Sequence, residues 1–178
     1  MFKHTTLTMA LSVCLALIPS SNSAAEATPA LGTPISQAQL AEFDLIVSPD
    51  GAGLPAGQGT AAQGEAVFQA RCRACHGSNG EGLTAATVLV GGSMLSEGPP
   101  LRTVGSYWPH ATTVFDFIRR AMPADAPKSL SDTEVYQVTA YVLFLNGIVE
   151  RDLVLDASSL PSIVMPNSDG FIDQSHIQ

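Results

Sequence analysis

One pentapeptide, Cys72-Arg73-Ala74-Cys75-His76, limits what this chain can fold into more than any other stretch. Two thiols separated by two residues can add to the two vinyl groups of one porphyrin, and the next residue then presents an imidazole to the iron from one face. The motif predicts one covalently bound haem c, with Cys72 and Cys75 as thioether anchors and His76 as the proximal iron ligand. Other uses of a cysteine pair make different demands. A closed zinc site needs two more Cys or His ligands, and His4, His110 and His176 are not spaced as a second half-site. A thioredoxin-like redox pair needs a βαβ setting, whereas an alanine-rich helical stretch precedes this one. A structural disulfide is the third alternative, and the leader described next, which routes a chain to where haem is attached, favours haem over it.

Residues 1–25 read as a secretory signal: Lys3 in a short n-region, an apolar run over residues 7–18, then small residues ending in Ala24-Ala25. The run is shorter than the about 20 apolar residues that span a bilayer. The expected mature protein is therefore periplasmic, with no membrane span after cleavage. Cys14 leaves with the leader, so Cys72 and Cys75 remain with no spare thiol for a structural disulfide. The chain carries 8 Lys and Arg against 16 Asp and Glu, and cleavage removes Lys3 as well. So acidic a chain is unsuited to nucleic acid. Its 178 residues suit one domain, and no internal repeat argues for more.

Residues 26–60 are rich in Pro, Gly, Ala and Thr, with a short helical stretch over residues 36–43 and the turn Ser48-Pro49-Asp50-Gly51. Leu40, Phe43, Leu45, Ile46 and Val47 lie within it. The segment is either a linker or an extended N-terminal arm whose apolar residues need a surface. Residues 61–147 read as the helical domain. A helix starts near Ala61 and leads into the cysteine motif. Gly64 in its middle costs about 1 kcal/mol relative to alanine, which argues for close packing there. The expected neighbour is the last helix, with Gly64 and Phe68 crossing Tyr141. That helix opens on the capping box Ser131-Asp132-Thr133-Glu134, with Leu130 stapling onto Val135, and stops at Asn146-Gly147. Residues 148–178 carry apolar residues without helical period, broken by Pro161, Pro166 and Gly170. They read as an extended C-terminal tail packed on a surface.

A glycine-rich loop over residues 77–98 is expected to wrap one haem edge. After Tyr107-Trp108-Pro109-His110, a helix from Ala111 to Ala121 is expected to turn Val114, Phe115 and Ile118 to the haem. Met122-Pro123 ends it, because proline disfavours a helical residue before it. A thioether on that stiff turn is suited to the sixth position of the iron, where a neutral soft sulfur raises the potential. His110, giving a bis-histidine haem, and Met94 are the alternatives. Arg119 and Arg120 either pair with haem propionates or are solvated surface charges.

Cys72 to His76, Gly98-Pro99, Met122 and the terminal helix together resemble a class I cytochrome c, implying an all-α fold, here with extended N- and C-terminal arms. In that comparison Pro99 offers its carbonyl to the second N–H of His76. The flanks resemble something narrower. Pro49-Asp50-Gly51-Ala52-Gly53-Leu54-Pro55, the run beginning Tyr107-Trp108-Pro109-His110, Arg119-Arg120-Ala121-Met122-Pro123 and Met165-Pro166-Asn167-Ser168-Asp169-Gly170-Phe171 are similar to the cytochrome subunits of periplasmic sulfite and sulfane dehydrogenases. The resemblance implies a molybdopterin-containing sulfur-compound dehydrogenase subunit as electron donor and a downstream cytochrome or oxidase as acceptor. It implies no catalytic residue in this chain itself. The single haem motif departs from longer members that hold two. A freestanding carrier is the first alternative, disfavoured by the scarcity of lysine, with Lys128 alone after the leader. A haem-based sensor or peroxidase, with the sixth position open, is the second. The two apolar arms favour a subunit, since they suit a large stable interface.

Overall fold

A computed structural model of the chain describes residues 32–41, 43–84, 87–93 and 101–172. The leader, Met94 and Pro99 lie outside the described residues. In chain order the elements are α1 (Gln37–Ala41), β1 (Gln58–Gly59), α2 (Ala61–Arg71), the single turn α3 (Arg73–His76), α4 (Val104–Tyr107), α5 (Ala111–Ala121), α6 (Asp132–Leu145), β2 (Leu155–Asp156) and a 3-10 turn at Leu160–Ser162.

The core is built on α6, which has eight buried residues, among them Val135, Tyr136, Val138, Tyr141 and Leu143. Its start is the capping box read from the sequence: Ser131 Oγ accepts the Glu134 N–H at 3.3 Å, and Glu134 accepts the Ser131 N–H at 2.8 Å. Leu130 and Val135 belong to one apolar cluster, as a staple requires. Helix α2 crosses α6 as expected. A Cβ on Gly64 would overlap the Gln137 carbonyl and lie 3.0 Å from Tyr141 Cβ, and the Phe68 and Tyr141 rings sit 5.2 Å apart. Thr60 and Gln63 form a second capping box at the start of α2. The Thr-x-x-Gln pattern was in the sequence and is the same signal as at Ser131. Helix α5 packs on the other flank of α6, with Phe115 and Tyr136 rings 4.5 Å apart.

Apart from α1 and the 3-10 turn, the described residues of both flanking segments are largely irregular, and both segments are tied to the helices. On the N-terminal side Val47 is buried; its N–H donates to Asp116 at 2.9 Å, Thr112 donates to the Pro49 carbonyl at 3.0 Å, and Tyr136 donates to the Pro55 carbonyl at 2.9 Å. These bonds, with one from Arg119 to the Leu45 carbonyl, fix residues 45–55 against the helices. On the C-terminal side β2 pairs antiparallel with β1, Gly59 opposite Leu155. The Arg151 carbonyl takes the Ala62 N–H at 3.1 Å, one of the donors a helix start leaves unpaired. Leu155, Leu160 and Met165 are fully buried in the same cluster as α6. Burying such a side chain contributes about 1.5–3 kcal/mol, so residues 148–165 contribute to the core as well as covering its surface. Irregular apolar spacing hid this, because each buried residue enters from a turn and no helix face repeats.

Candidate functional site

Helices α2, α5 and α6, with residues 87–89 and 102–104, enclose an apolar cavity of about 860 Å³. Its wall includes Cys72, Cys75 and His76 at the end of the α2–α3 segment and Met122 at the end of α5. Phe68, Leu89, Val104, Trp108, Val114, Phe117, Ile118, Val138 and Val142 supply the apolar lining. The size and lining are those of a cofactor site. Cys72 is half-buried and Cys75 exposed, and no disulfide joins them. Burial pushes the Cys72 thiol up to about 11, so an unlinked Cys72 is neutral at pH 7. Among the described residues no three His, Cys, Asp or Glu side chains gather as a metal-binding group, so the pair lacks zinc-type companions.

His76 Nδ1 lies 2.7 Å from the Thr87 carbonyl oxygen. A carbonyl only accepts, so Nδ1 carries the proton and the lone pair is on Nε2, the tautomer a metal ligand needs. The sequence pointed to the Pro99 carbonyl for this task; Pro99 lies outside the described residues, and Thr87 holds the position. Thr87 is fixed in turn. The Leu89 carbonyl takes hydrogen bonds from Asn146 Nδ2 at 3.1 Å and the Val104 N–H at 3.2 Å. Asn146, read from the sequence only as a helix stop, thus braces the loop beside His76. Nothing in the sequence marked Thr87, because its partner lies eleven residues upstream in a glycine-rich loop.

His110 is exposed, outside the cavity lining, with its backbone bridged to Val164. The structure brings Met122 to the cavity and leaves His110 away from it; Met94 is not described. Of the three α5 residues expected at the haem, Val114 and Ile118 line the cavity while Phe115 faces Tyr136. Phe117 takes its place, its ring 5.7 Å from Trp108. Arg119 matches neither reading offered for it, whereas Arg120 is a surface arginine, as one reading had it, but an ion-paired one. Arg119 is only 15% exposed and pairs with Asp132 at 2.9 Å, and Arg120 pairs with Asp116 at 2.5 Å. The cavity's arginines are instead Arg71 and Arg102. Arg71 donates to Ser129 at 2.6 Å, and Arg102 stacks 5.0 Å from the centre of the Tyr107 ring.

Residues 59–142 match the family model described as cytochrome c oxidase, cbb3-type, subunit III. The chain is also similar to a chain in the crystal structure of the sulfane dehydrogenase SoxCD from Paracoccus pantotrophus, at 39% identity and a TM-score of 0.76, over 84% of this chain and 75% of that one. The chain is a class I c-type cytochrome. The thiosulfate dehydrogenase of Allochromatium vinosum is 40% identical over 83 residues, 45% of this chain but 29% of that protein. The cytochrome thus spans under a third of the length of this curated relative. Membership implies a haem c, and the cavity fits one. Two free thiols, an imidazole in the ligating tautomer and a soft thioether share the wall of an apolar space of about 860 Å³. Among the described residues the sheet is the two-residue pairing of β1 with β2, in keeping with an all-α fold.

Proposed function

We propose that this cytochrome holds one haem c through thioethers at Cys72 and Cys75, with His76 and Met122 as the axial ligands. It serves as the electron-transfer subunit of a periplasmic complex and performs no catalysis alone. Its donor is a molybdopterin-containing sulfite or sulfane dehydrogenase subunit, and its acceptor is a further cytochrome or an oxidase. Residues 1–25 are its leader, 26–60 its N-terminal arm, 61–147 its haem domain and 148–178 its tail. One observation carries the reading: a cysteine pair, an imidazole with its outer N–H already bonded, and Met122 share the wall of one apolar cavity. Similarity to a sulfane dehydrogenase chain over 84% of the length, more than the helical domain alone, supports the subunit over the freestanding carrier. Among the described residues no helix is long and apolar enough to cross a membrane.

When bound, the haem supplies a one-electron Fe(III)/Fe(II) couple, and this chain's residues set its conditions. Thr87 fixes the His76 ring and raises its basicity. Met122 offers a neutral sulfur that stabilises the ferrous state and leaves no site for substrate. The valines, leucines and aromatic rings of the lining exclude water. The mature protein, boiled in detergent and run on a gel, is expected to keep a peroxidase-active band. Purified from its native periplasm, it should co-elute with a molybdopterin protein and redden on addition of sulfite or thiosulfate. A colourless polypeptide overturns the haem assignment. A coloured one that elutes alone at every ionic strength overturns the subunit assignment.

A further inference from the structure

Helix α5 presents Thr112, Asp116 and Arg119 at the i, i+4, i+7 spacing that places them on one face, and all three bond the N-terminal arm. Thr112 Oγ1 donates to the Pro49 carbonyl at 3.0 Å, Asp116 Oδ1 accepts the Val47 N–H at 2.9 Å, and Arg119 Nη1 donates to the Leu45 carbonyl at 3.2 Å. The arm from residue 43 to residue 57 has no helix or strand of its own, so these bonds fix its path. Arg119 also reaches Asp132, the first residue of α6, at 2.9 Å. Met122 lies in the connection between those two residues. The ion pair therefore closes the base of the loop that carries Met122, and the arm braces the same turn from outside. The Arg119 side chain is 15% exposed and that of Asp132 39%, so the pair is only half-shielded from water and acts through its geometry more than its charge energy.

We infer that Thr112, Asp116 and Arg119 are positioning residues that clamp arm residues 45–49 to α5 and so hold Met122 at the cavity wall. The N-terminal arm is then part of the distal ligand's support, in addition to any partner contact. This rests on Met122 being the distal ligand. The test uses the full mature haem-loaded protein and three readouts: the near-infrared sulfur-to-iron band of the ferric form, the potential, and titration with imidazole, which competes with the thioether for ferric iron. Asp116→Asn and Arg119→Gln should weaken the band, lower the potential and tighten imidazole binding about 10-fold, the usual scale for losing a ligand's supporting partner. Arg119→Lys keeps the Asp132 pair and should recover part of the effect. Thr112→Val, which removes one arm bond at nearly constant shape, should move imidazole binding the same way by less, and it keeps the test open should a charge variant fail to fold. Leu155→Ala, in the core away from α5, should lower the melting temperature with the band and imidazole affinity unchanged. If the wild type shows the band and the α5 variants bind imidazole as it does, or no more tightly than Leu155→Ala, the clamp is overturned. If the wild type itself lacks the band, the Met122 assignment fails instead.

Discussion

Gly64→Ala sets helix propensity against packing, and the structure decides the sign. Propensity alone favours alanine by about 1 kcal/mol in a helix interior. The added methyl, however, would overlap the Gln137 carbonyl of α6 and lie 3.0 Å from Tyr141 Cβ. Neither obstacle is a flexible side-chain end, so the crossing must open. Overpacking of this kind typically costs about 1–3 kcal/mol, and obstruction by backbone belongs at or above the upper end. Against the propensity gain, the net loss is about 2 kcal/mol. For a protein of this size that lowers the melting temperature by roughly 4–8 °C. Urea unfolding of the haem-loaded protein, followed by far-ultraviolet circular dichroism, should show a lower midpoint at unchanged slope. Gln63→Ala, one residue earlier, removes the capping-box partner of Thr60 and reports the cost of a local helix change without the crossing. A Gly64→Ala protein as stable as the wild type would falsify the close-contact account of α2 on α6.

Met122→Ala should open the ferrous iron to carbon monoxide and lower the potential; ligand spectra identical to wild type would remove Met122 from the site. Leu160→Ala, deleting a fully buried side chain of the tail, should cost about 2–5 kcal/mol, read as a shift in urea midpoint, and truncation after residue 152 should destabilise the haem domain itself. A truncated protein with wild-type stability would show that the tail is only laid on the surface. Tyr136 gives a pH prediction. Burial first, then the Asp156 and Asp132 carboxylates, push its phenol from 10.0 to about 12. The folded state favours the neutral phenol, so its contribution is complete below pH 10 and is lost as pH rises through about 12. Tyr136→Phe should lose about 1 kcal/mol at neutral pH, the worth of the bond to the Pro55 carbonyl, and should lack that alkaline component of the wild-type stability profile. Parallel profiles for the two proteins up to pH 12 would refute it.

The local chemistry of this protein is written in short stretches, and those were legible. The cysteine pair and histidine, the Ser131 capping box and the proline that ends α5 each act over a few residues of chain. The sequence therefore determined where the long helices begin and stop, which residues are equipped to hold a haem, and that two glycine- and proline-punctuated segments flank the helices. What those segments touch was decided only by the tertiary structure. Arg119 was read as a charge free for propionates or solvent because its carboxylate, Asp132, is recognised as a partner only once α5 and α6 are placed, whereas the i, i+4 spacing of Asp116 and Arg120 within α5 was legible along the chain. Thr87 reached His76, and Asn146 reached Leu89, across loops whose backbone carbonyls carry no side-chain signature. Leu155, Leu160 and Met165 entered the core from turns, where burial leaves no period to read. Capping, turn formation and ligand chemistry depend on neighbours along the chain, so a sequence displays them; burial and pairing depend on neighbours in space, which only the folded chain supplies.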